Sequence, residues 1–340
     1  MNILVTGAAG YIGCRLTTAL IAAGHRITAV DKLIFGDESL AGFLDALELH
    51  AIDIRATTRS HFDGIEAVIH MAGLSNDPTA EFRPDANRSI NLDATVHLAQ
   101  LAKSAGVRRF IFASSCSVYQ GHQQDGEYQD ETMAVAPSAP YSWSKWQAET
   151  ALLAMADGDF RPTILRMGTI FGESPRMRYD LVVNAMTRDA FAKRRVTVHA
   201  GGRMWRPLLH VDDAAAGILS ALMADEKIAG GQIFNLLGGN YRIKDVADQV
   251  REAIQAAFGL EIGLEAQPAG TFRSYRVRGD RFEKAVGFAP SHDVASAVRV
   301  MWTTLLSRAD PETPIFYNIK WFEMLIEMER RLQRMGGSVY

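Results

Sequence analysis

The 340-residue chain holds only two cysteines, Cys14 and Cys116. Two thiols cannot build the disulfide framework of a small secreted domain, so they read as reduced thiols of a cytosolic protein. Charge of one sign is equally scarce: 36 Lys and Arg stand against 39 Asp and Glu, a net charge of −3. That balance does not suit a surface that coats nucleic acid. No apolar run approaches the roughly 20 residues that span a bilayer; Ala19-Leu20-Ile21-Ala22-Ala23 is far too short. The first residues carry no basic region, apolar stretch and cleavage site in sequence, and open directly on a strand pattern. Internal repeats and low-complexity linkers are lacking as well. What is there is an ordinary globular balance, 48% hydrophobic and 22% charged, in a chain able to bury a sizeable core. The expectation is a cytoplasmic α/β enzyme with neither a nucleic-acid nor a membrane partner.

Strand and helix patterns alternate from the start. Residues 2–6 form a short apolar run without period-2 polarity, as in a strand covered on both faces. A glycine turn follows, then a helix with Ile12, Leu16, Leu20 and Ala23 on one face and Gly24 as its stop. Further strands are expected at 26–31, 47–52, 67–70, 109–113 and 163–166, with helices at 91–105 and 141–155. Such a β-α-β series forces a parallel sheet with right-handed crossovers, whose ligands sit beyond the carboxyl ends of the strands. Residues 172–204 lose this rhythm. Residues 208–223 and 232–236 read as a return to the main sheet, and helices near 243–258 and 315–332 as a smaller cap.

Thr6-Gly7-Ala8-Ala9-Gly10-Tyr11-Ile12-Gly13 spaces its glycines three apart between strand and helix. The missing side chains let the backbone turn tightly against a pyrophosphate, which the helix N-terminus then stabilises. Asp31 ends the second strand 18 residues after Gly13. A carboxylate there accepts bonds from an adenosine ribose and repels a 2′-phosphate, which favours NAD over NADP. Asp53 and Ile54 close the third strand and either frame the adenine or form an ordinary cap.

Tyr141-Ser142-Trp143-Ser144-Lys145 sets a phenol and an ammonium on one helix face. A free tyrosine, with a pKa of about 10, is a poor base at neutral pH. A neighbouring lysine and a positive nicotinamide ring would favour the phenolate. Ser115, at the end of the fifth strand, points into the same crevice and offers a hydroxyl to the reacting oxygen.

Residues 6–13, Asp31, Ser114-Ser115-Cys116-Ser117-Val118-Tyr119 and residues 141–145 together resemble the extended short-chain dehydrogenase/reductase family. Within it the chain is most similar to the sugar-nucleotide epimerases and dehydratases, from Met1 to about Pro290. The resemblance implies a Rossmann-type, doubly wound parallel sheet with a smaller interleaved C-terminal lobe. The NAD-binding part would take residues 1–170 plus about 207–236, and the substrate-binding lobe residues 171–206 and 237–340. It implies Tyr141 as catalytic base or acid, Lys145 as holder of the nicotinamide ribose, and Ser115 as binder of the substrate oxygen. The cofactor set is Gly7, Gly10, Tyr11, Ile12, Gly13, Asp31, Asp53 and Ile54 with Tyr141 and Lys145, and no metal is implied. The 4,6-dehydratases carry Asp-Glu just after the catalytic Ser or Thr, where this chain has Cys116-Ser117; the decarboxylases carry Glu in place of Ser117. Val118-Tyr119-Gln120 stands for the usual Val-Tyr-Gly, and His70-Met71-Ala72-Gly73 for His-Leu-Ala-Ala. The serines best match the C4-epimerase pattern. A net oxidoreductase or a dehydratase is the enzymatic alternative, and a non-catalytic NAD-sensing scaffold the alternative of another class.

Residues 161–210 hold ten Lys and Arg against three Asp and Glu. This is either a solvated basic face or an anion site, since arginine forks suit phosphate oxygens. The resemblance places Arg206 on a nucleotide diphosphate and gives Arg276 a similar place. It sets Arg176, Arg178 and Asn184 along the nucleotide or sugar of a nucleotide-diphosphate-sugar substrate. His70 and His210 are expected to pack, Cys116 to be a buried inert thiol, and no His, Cys or Asp cluster has metal-ligand spacing. The apolar face of the last helix, with Trp321, Phe322, Leu325 and Ile326, reads as core or as a homodimer contact.

Overall fold

The computed structural model describes residues 1–120, 127–267, 274–307 and 310–337. In chain order the first elements are β1 (Asn2–Thr6), α1 (Gly13–Ala22), β2 (Arg26–Val30), β3 (Leu47–His50) and β4 (Ala67–His70). Helices α2 (Asp77–Phe82), α3 (Pro84–Arg88) and α4 (Ala94–Ser104) lead to β5 (Arg109–Ser115), β6 (Tyr128–Gln129), α5 (Pro140–Ala154) and β7 (Arg161–Met167). Then come β8 (Thr169–Phe171), α6 (Val182–Lys193), β9 (Arg195–His199), β10 (Trp205–His210), α7 (Val211–Met223) and α8 (Glu226–Ala229). The remainder is β11 (Ile233–Leu236), β12 (Gly239–Arg242), α9 (Ile243–Phe258), β13 (Gly263–Gln267), β14 (Arg276–Val277), α10 (Asp280–Val286), α11 (Val294–Ser307) and α12 (Asn318–Arg334).

Seven strands form one parallel sheet in the order β11-β7-β5-β4-β1-β2-β3. The order reverses between β1 and β4, and a crevice opens there beyond the strand ends. The lack of polar alternation in β1 has a direct cause. Ile3 and Val5 face a layer with Leu16 and Leu20 of α1 and Ile218 of α7, while Leu4 faces Leu98 of α4 and Leu152 of α5. Both faces are covered, so every position of the strand interior is apolar.

Two expectations are corrected. Residues 205–210 do not rejoin the main sheet: β10 pairs with β8 and β12 in a separate three-stranded sheet. β10 cannot pair with β7, which has β5 on one edge and β11 on the other, and it pairs instead with β8, the strand that follows β7 in the chain. Helix α4 starts three residues later than expected, because Ser89–Asp93 form a π-helical turn. That turn turns the fully buried Asn91 to the backbone of Leu74, from whose N–H it accepts at 2.8 Å and to whose carbonyl it donates at 2.8 Å. The segment after β4 is thereby fixed against the crevice.

Candidate active site

The crevice is a cavity of about 410 Å³. Its floor is the glycine turn, where Gly7, Gly10, Tyr11, Ile12 and Gly13 all line the wall. Gly7 has φ +74°, and a Cβ there would meet the Ala72 nitrogen at 2.8 Å. A Cβ on Gly13 would lie 1.9 Å from the Gly7 carbonyl oxygen. Only glycine closes this turn, which leaves bare backbone at the start of a ten-residue helix. Asp31 reaches the same floor. Its two carboxylate oxygens accept from the Ala9 and Leu33 N–H groups, each at 2.9 Å, while burial pushes its pKa up. Asp53 and Ile54 line the cavity too, but the Asp53 carboxylate is held by Arg55 at 2.7 Å and Lys32 at 3.2 Å, and its pKa is lowered chiefly by Arg55.

Ser115, Tyr141 and Lys145 line the same cavity. The Tyr141 phenol is hydrogen-bonded to the Ser115 side chain, and Ser115 Oγ accepts from the Ser117 N–H at 3.2 Å. Burial pushes the phenol up to about 12, with the Asp77 charge adding to the rise. The cation that acts against this rise is Arg178. Lys145, which the sequence assigned to that task, instead donates its ammonium to the Ala113 carbonyl at 2.9 Å and lies 4.7 Å from the centre of the Phe112 ring. Burial brings Lys145 down to about 8.

Arg178 and Arg206 line the cavity. Arg178 is locked bidentately by Asp180 at 2.9 Å on both arms and donates to Ser75 Oγ at 3.0 Å. Arg206 donates to the Trp205 carbonyl at 2.9 Å and stacks 5.5 Å from the Tyr275 ring centre. Two expected ligands lie elsewhere. Asn184 is fully buried behind the wall, where it accepts from the Gly172 N–H and donates to the Tyr11 phenol and the Arg178 carbonyl. Through these bonds it positions Tyr11 and Arg178. Arg276 is off the cavity, 4.5 Å from the Tyr128 ring centre and 5.1 Å from that of Trp205. The Tyr11 side chain is also turned away: its phenol donates to the Gly172 carbonyl at 2.6 Å, leaving its backbone to the turn.

Several further residues form the wall, of which Gln120, Phe35 and Asn318 carried no sequence signal for it. Ser117 has a buried hydroxyl with no protein partner, and Gln120 bonds the Tyr275 phenol. Phe35, Asn318 and Phe322 close the side above the glycine turn. Phe322 packs edge-on to Phe35 at 5.7 Å, and the Trp321 indole donates to the Ile34 carbonyl at 2.7 Å. The apolar face of the last helix is therefore partly a cavity wall. The histidines pack: His70 lies between the hydroxyls of Thr6 and Thr95, and His210 Nδ1 accepts from the Asp212 N–H at the start of α7. Cys116 donates to the Arg166 carbonyl, its thiol pushed far up by burial.

The bare turn, the carboxylate after β2 and the Tyr-Lys pair fit a nicotinamide dinucleotide laid across the switch point of the sheet. A UDP-glucose 4-epimerase of Yersinia pestis is 29% identical over 330 residues, covering 89% of this chain and 96% of that protein. MoeE5, solved in complex with UDP-glucuronic acid and NAD, is 25% identical, with a TM-score of 0.75 over 90% of this chain and all of the other. The fold is shared with a UDP-glucose-4-epimerase of Stenotrophomonas maltophila with bound NAD and formylated UDP-arabinopyranose, at a TM-score of 0.81 and 24% identity, covering 91% of this chain and all of that one. Residues 3–236 match the family described as NAD dependent epimerase/dehydratase. That match runs from β1 through β11, the whole seven-stranded sheet and every strand end that meets the cavity, and on that footing the chain belongs to the NAD-dependent epimerase/dehydratase family of extended short-chain dehydrogenase/reductases, enzymes whose cofactor is NAD.

Proposed function

We propose that the protein transiently oxidises a hydroxyl-bearing carbon of a nucleotide-linked sugar and resets it with the opposite configuration, as a C4 epimerase does. The observation that carries this reading is the Tyr141 phenol bonded to Ser115 in the cavity that also receives the glycine turn and Arg206. The epimerase relatives support a UDP-hexose as the substrate class. The cofactor, when bound, supplies hydride-transfer chemistry beside the Tyr-Lys pair. Gly7, Gly10, Ile12, Gly13 and the Tyr11 backbone would hold its pyrophosphate, Asp31 its adenosine ribose and Lys145 its nicotinamide ribose. Tyr141 takes the hydroxyl proton while Ser115 holds the same oxygen, and returns the proton in the second half of the cycle. At about 12, Tyr141 is protonated at neutral pH. Arg178, aided by a positive nicotinamide ring, would draw it toward the phenolate.

One observation favours epimerisation over elimination of water. The two positions after Ser115, where the dehydratases place carboxyls, hold a buried thiol tied to a backbone carbonyl and the hydroxyl of Ser117. Neither is an acid or base near neutral pH. Ser117, with its buried hydroxyl open, would offer a second contact to a sugar hydroxyl.

No helix among the described residues is long and apolar enough to cross a membrane. A cytosolic location is supported by Cys14 and Cys116 being buried and unpaired. A homodimer is supported by the half-buried Leu325 and Ile326 and the exposed Met328 on α12.

Arg206→Ala is expected to weaken UDP binding more than tenfold with NAD affinity unchanged. A charge-assisted bond contributes roughly 1.5–3 kcal/mol, and 1.4 kcal/mol is about tenfold. Arg276→Ala should weaken UDP binding less, because that arginine lies against the Tyr128 and Trp205 rings rather than in the cavity wall. Calorimetry with UDP decides: unaltered binding by Arg206→Ala would remove the arginine from the substrate site. Conversion of UDP-glucose to UDP-galactose without net NAD reduction tests the reaction itself.

A further inference from the structure

The segment between β8 and α6 crosses above the glycine turn and is fixed there from both directions. Ser174 Oγ donates to the Tyr11 carbonyl at 2.8 Å, and the Tyr11 phenol donates back to the Gly172 carbonyl. Two residues beyond Ser174, Arg176 is only 7% exposed and lines the cavity. Its guanidinium carbon lies 3.6 Å from the centre of the Phe35 ring, in the loop after Asp31, and Nη2 donates to Asn318 Oδ1 at 2.6 Å. Nε and Nη1 have no protein partner. Asp180, whose charge acts on Arg176, is taken up by both arms of Arg178.

A buried guanidinium with two open nitrogens is costly unless an anion meets it. The neighbours say which anion. The charges that act on Arg176 are first those of Arg178 and Asp180, which pair with each other, and then Cys14 in the first turn of α1 and Tyr11 in the glycine turn, while Arg176 itself acts on Asp31. Phe35, in the loop after Asp31, and the glycine turn with its Tyr11 carbonyl bonded by Ser174 set Arg176 beside the dinucleotide-binding elements of the cavity. The C-terminal helix braces the arrangement through Asn318 and through Phe322 against Phe35.

We propose that Arg176 binds the cofactor's pyrophosphate, so that the diphosphate is held by the α1 N-terminus together with a guanidinium delivered by the segment above it. The proposal rests on the NAD reading of the cavity. It makes the loop at 172–178 and the first residue of α12 part of the cofactor site. The diphosphate would supply the counter-charge that Arg176 lacks within the protein.

The test compares nucleotide-free wild type, Arg176→Met and Arg176→Lys. Calorimetry with NAD, ADP-ribose and UDP gives affinities, and thermal unfolding is followed with and without NAD. Arg176→Met is expected to weaken NAD and ADP-ribose at least tenfold, Arg176→Lys less, with UDP unaffected. The nucleotide-free Met variant should unfold at the wild-type temperature or above, because an unpaired buried charge is gone, while its stabilisation by NAD shrinks. Equal NAD affinity in wild type and Arg176→Met would overturn the proposal. So would weakened UDP binding with intact NAD binding, which moves the arginine to the sugar-nucleotide half. A Met variant that unfolds early or fails to fold would equally overturn it, by showing that the arginine is structural. Failure of the wild type itself to bind NAD and ADP-ribose would refute the cofactor reading rather than the role of Arg176 alone.

Discussion

Tyr141→Phe is expected to lower turnover of a nucleotide sugar by about 10³–10⁴-fold, the upper part of the range for a general acid–base group. The ring and its packing remain, so the fold and NAD binding should be kept. What is lost is the phenol that bonds Ser115 and takes the proton in both half-reactions. Ser115→Ala should be milder, since it removes a holder of the substrate oxygen and leaves the proton acceptor. Steady-state rates with matched NAD occupancy separate the two variants. A Tyr141→Phe protein with full activity on its substrate would end the assignment of Tyr141.

The second large effect is on stability. Arg166 and Glu149 form an ion pair at 2.6 Å with both side chains 3% exposed. Ser114 donates to Glu149, and Arg166 Nη1 donates to the Tyr119 oxygen at 2.9 Å, whose own proton goes to Asn235 Oδ1. This network joins α5, which carries Tyr141 and Lys145, to β5, β7 and β11. Glu149→Ala leaves a buried guanidinium without its carboxylate and should destabilise the fold by about 3–5 kcal/mol. Arg166→Met combined with Glu149→Leu should cost less, because no charge is then stranded. Urea unfolding midpoints of the two proteins give the order. A Glu149→Ala protein as stable as wild type would show that the pair is not what ties α5 to the sheet.

The parts of the site legible in the sequence are those built by short-range rules. Residues 6–13 spell their own turn because Gly7 and Gly13 face backbone too closely for any Cβ. Tyr141 and Lys145 are one helical turn apart, so their spacing alone puts them on one face. The arginines were not legible in the same way, because composition does not give the direction of a side chain. Of those in residues 161–210, Arg166 pairs with Glu149, Arg188 with Asp189 and Arg195 with Glu265, while Arg176, Arg178 and Arg206 reach the cavity. Asn184 and Arg276 had the expected residue types and turn elsewhere. Asn318 and Phe322 lie more than 300 residues from the glycine turn, and Gln120 meets Tyr275 across about half that gap in the chain. Contacts of that range have no local period or motif.

The fate of the hydrogen on the reacting carbon is the most direct test of transient oxidation. A nucleotide hexose deuterated at C4 should be converted to its C4 epimer with the label retained, since the hydride leaves and returns within one closed cavity, and no NADH should accumulate. Label lost to solvent would instead place a proton abstraction at the centre of the reaction, and label in released NADH would make the protein a net dehydrogenase. Either result would contradict transient oxidation by Tyr141 and bound NAD.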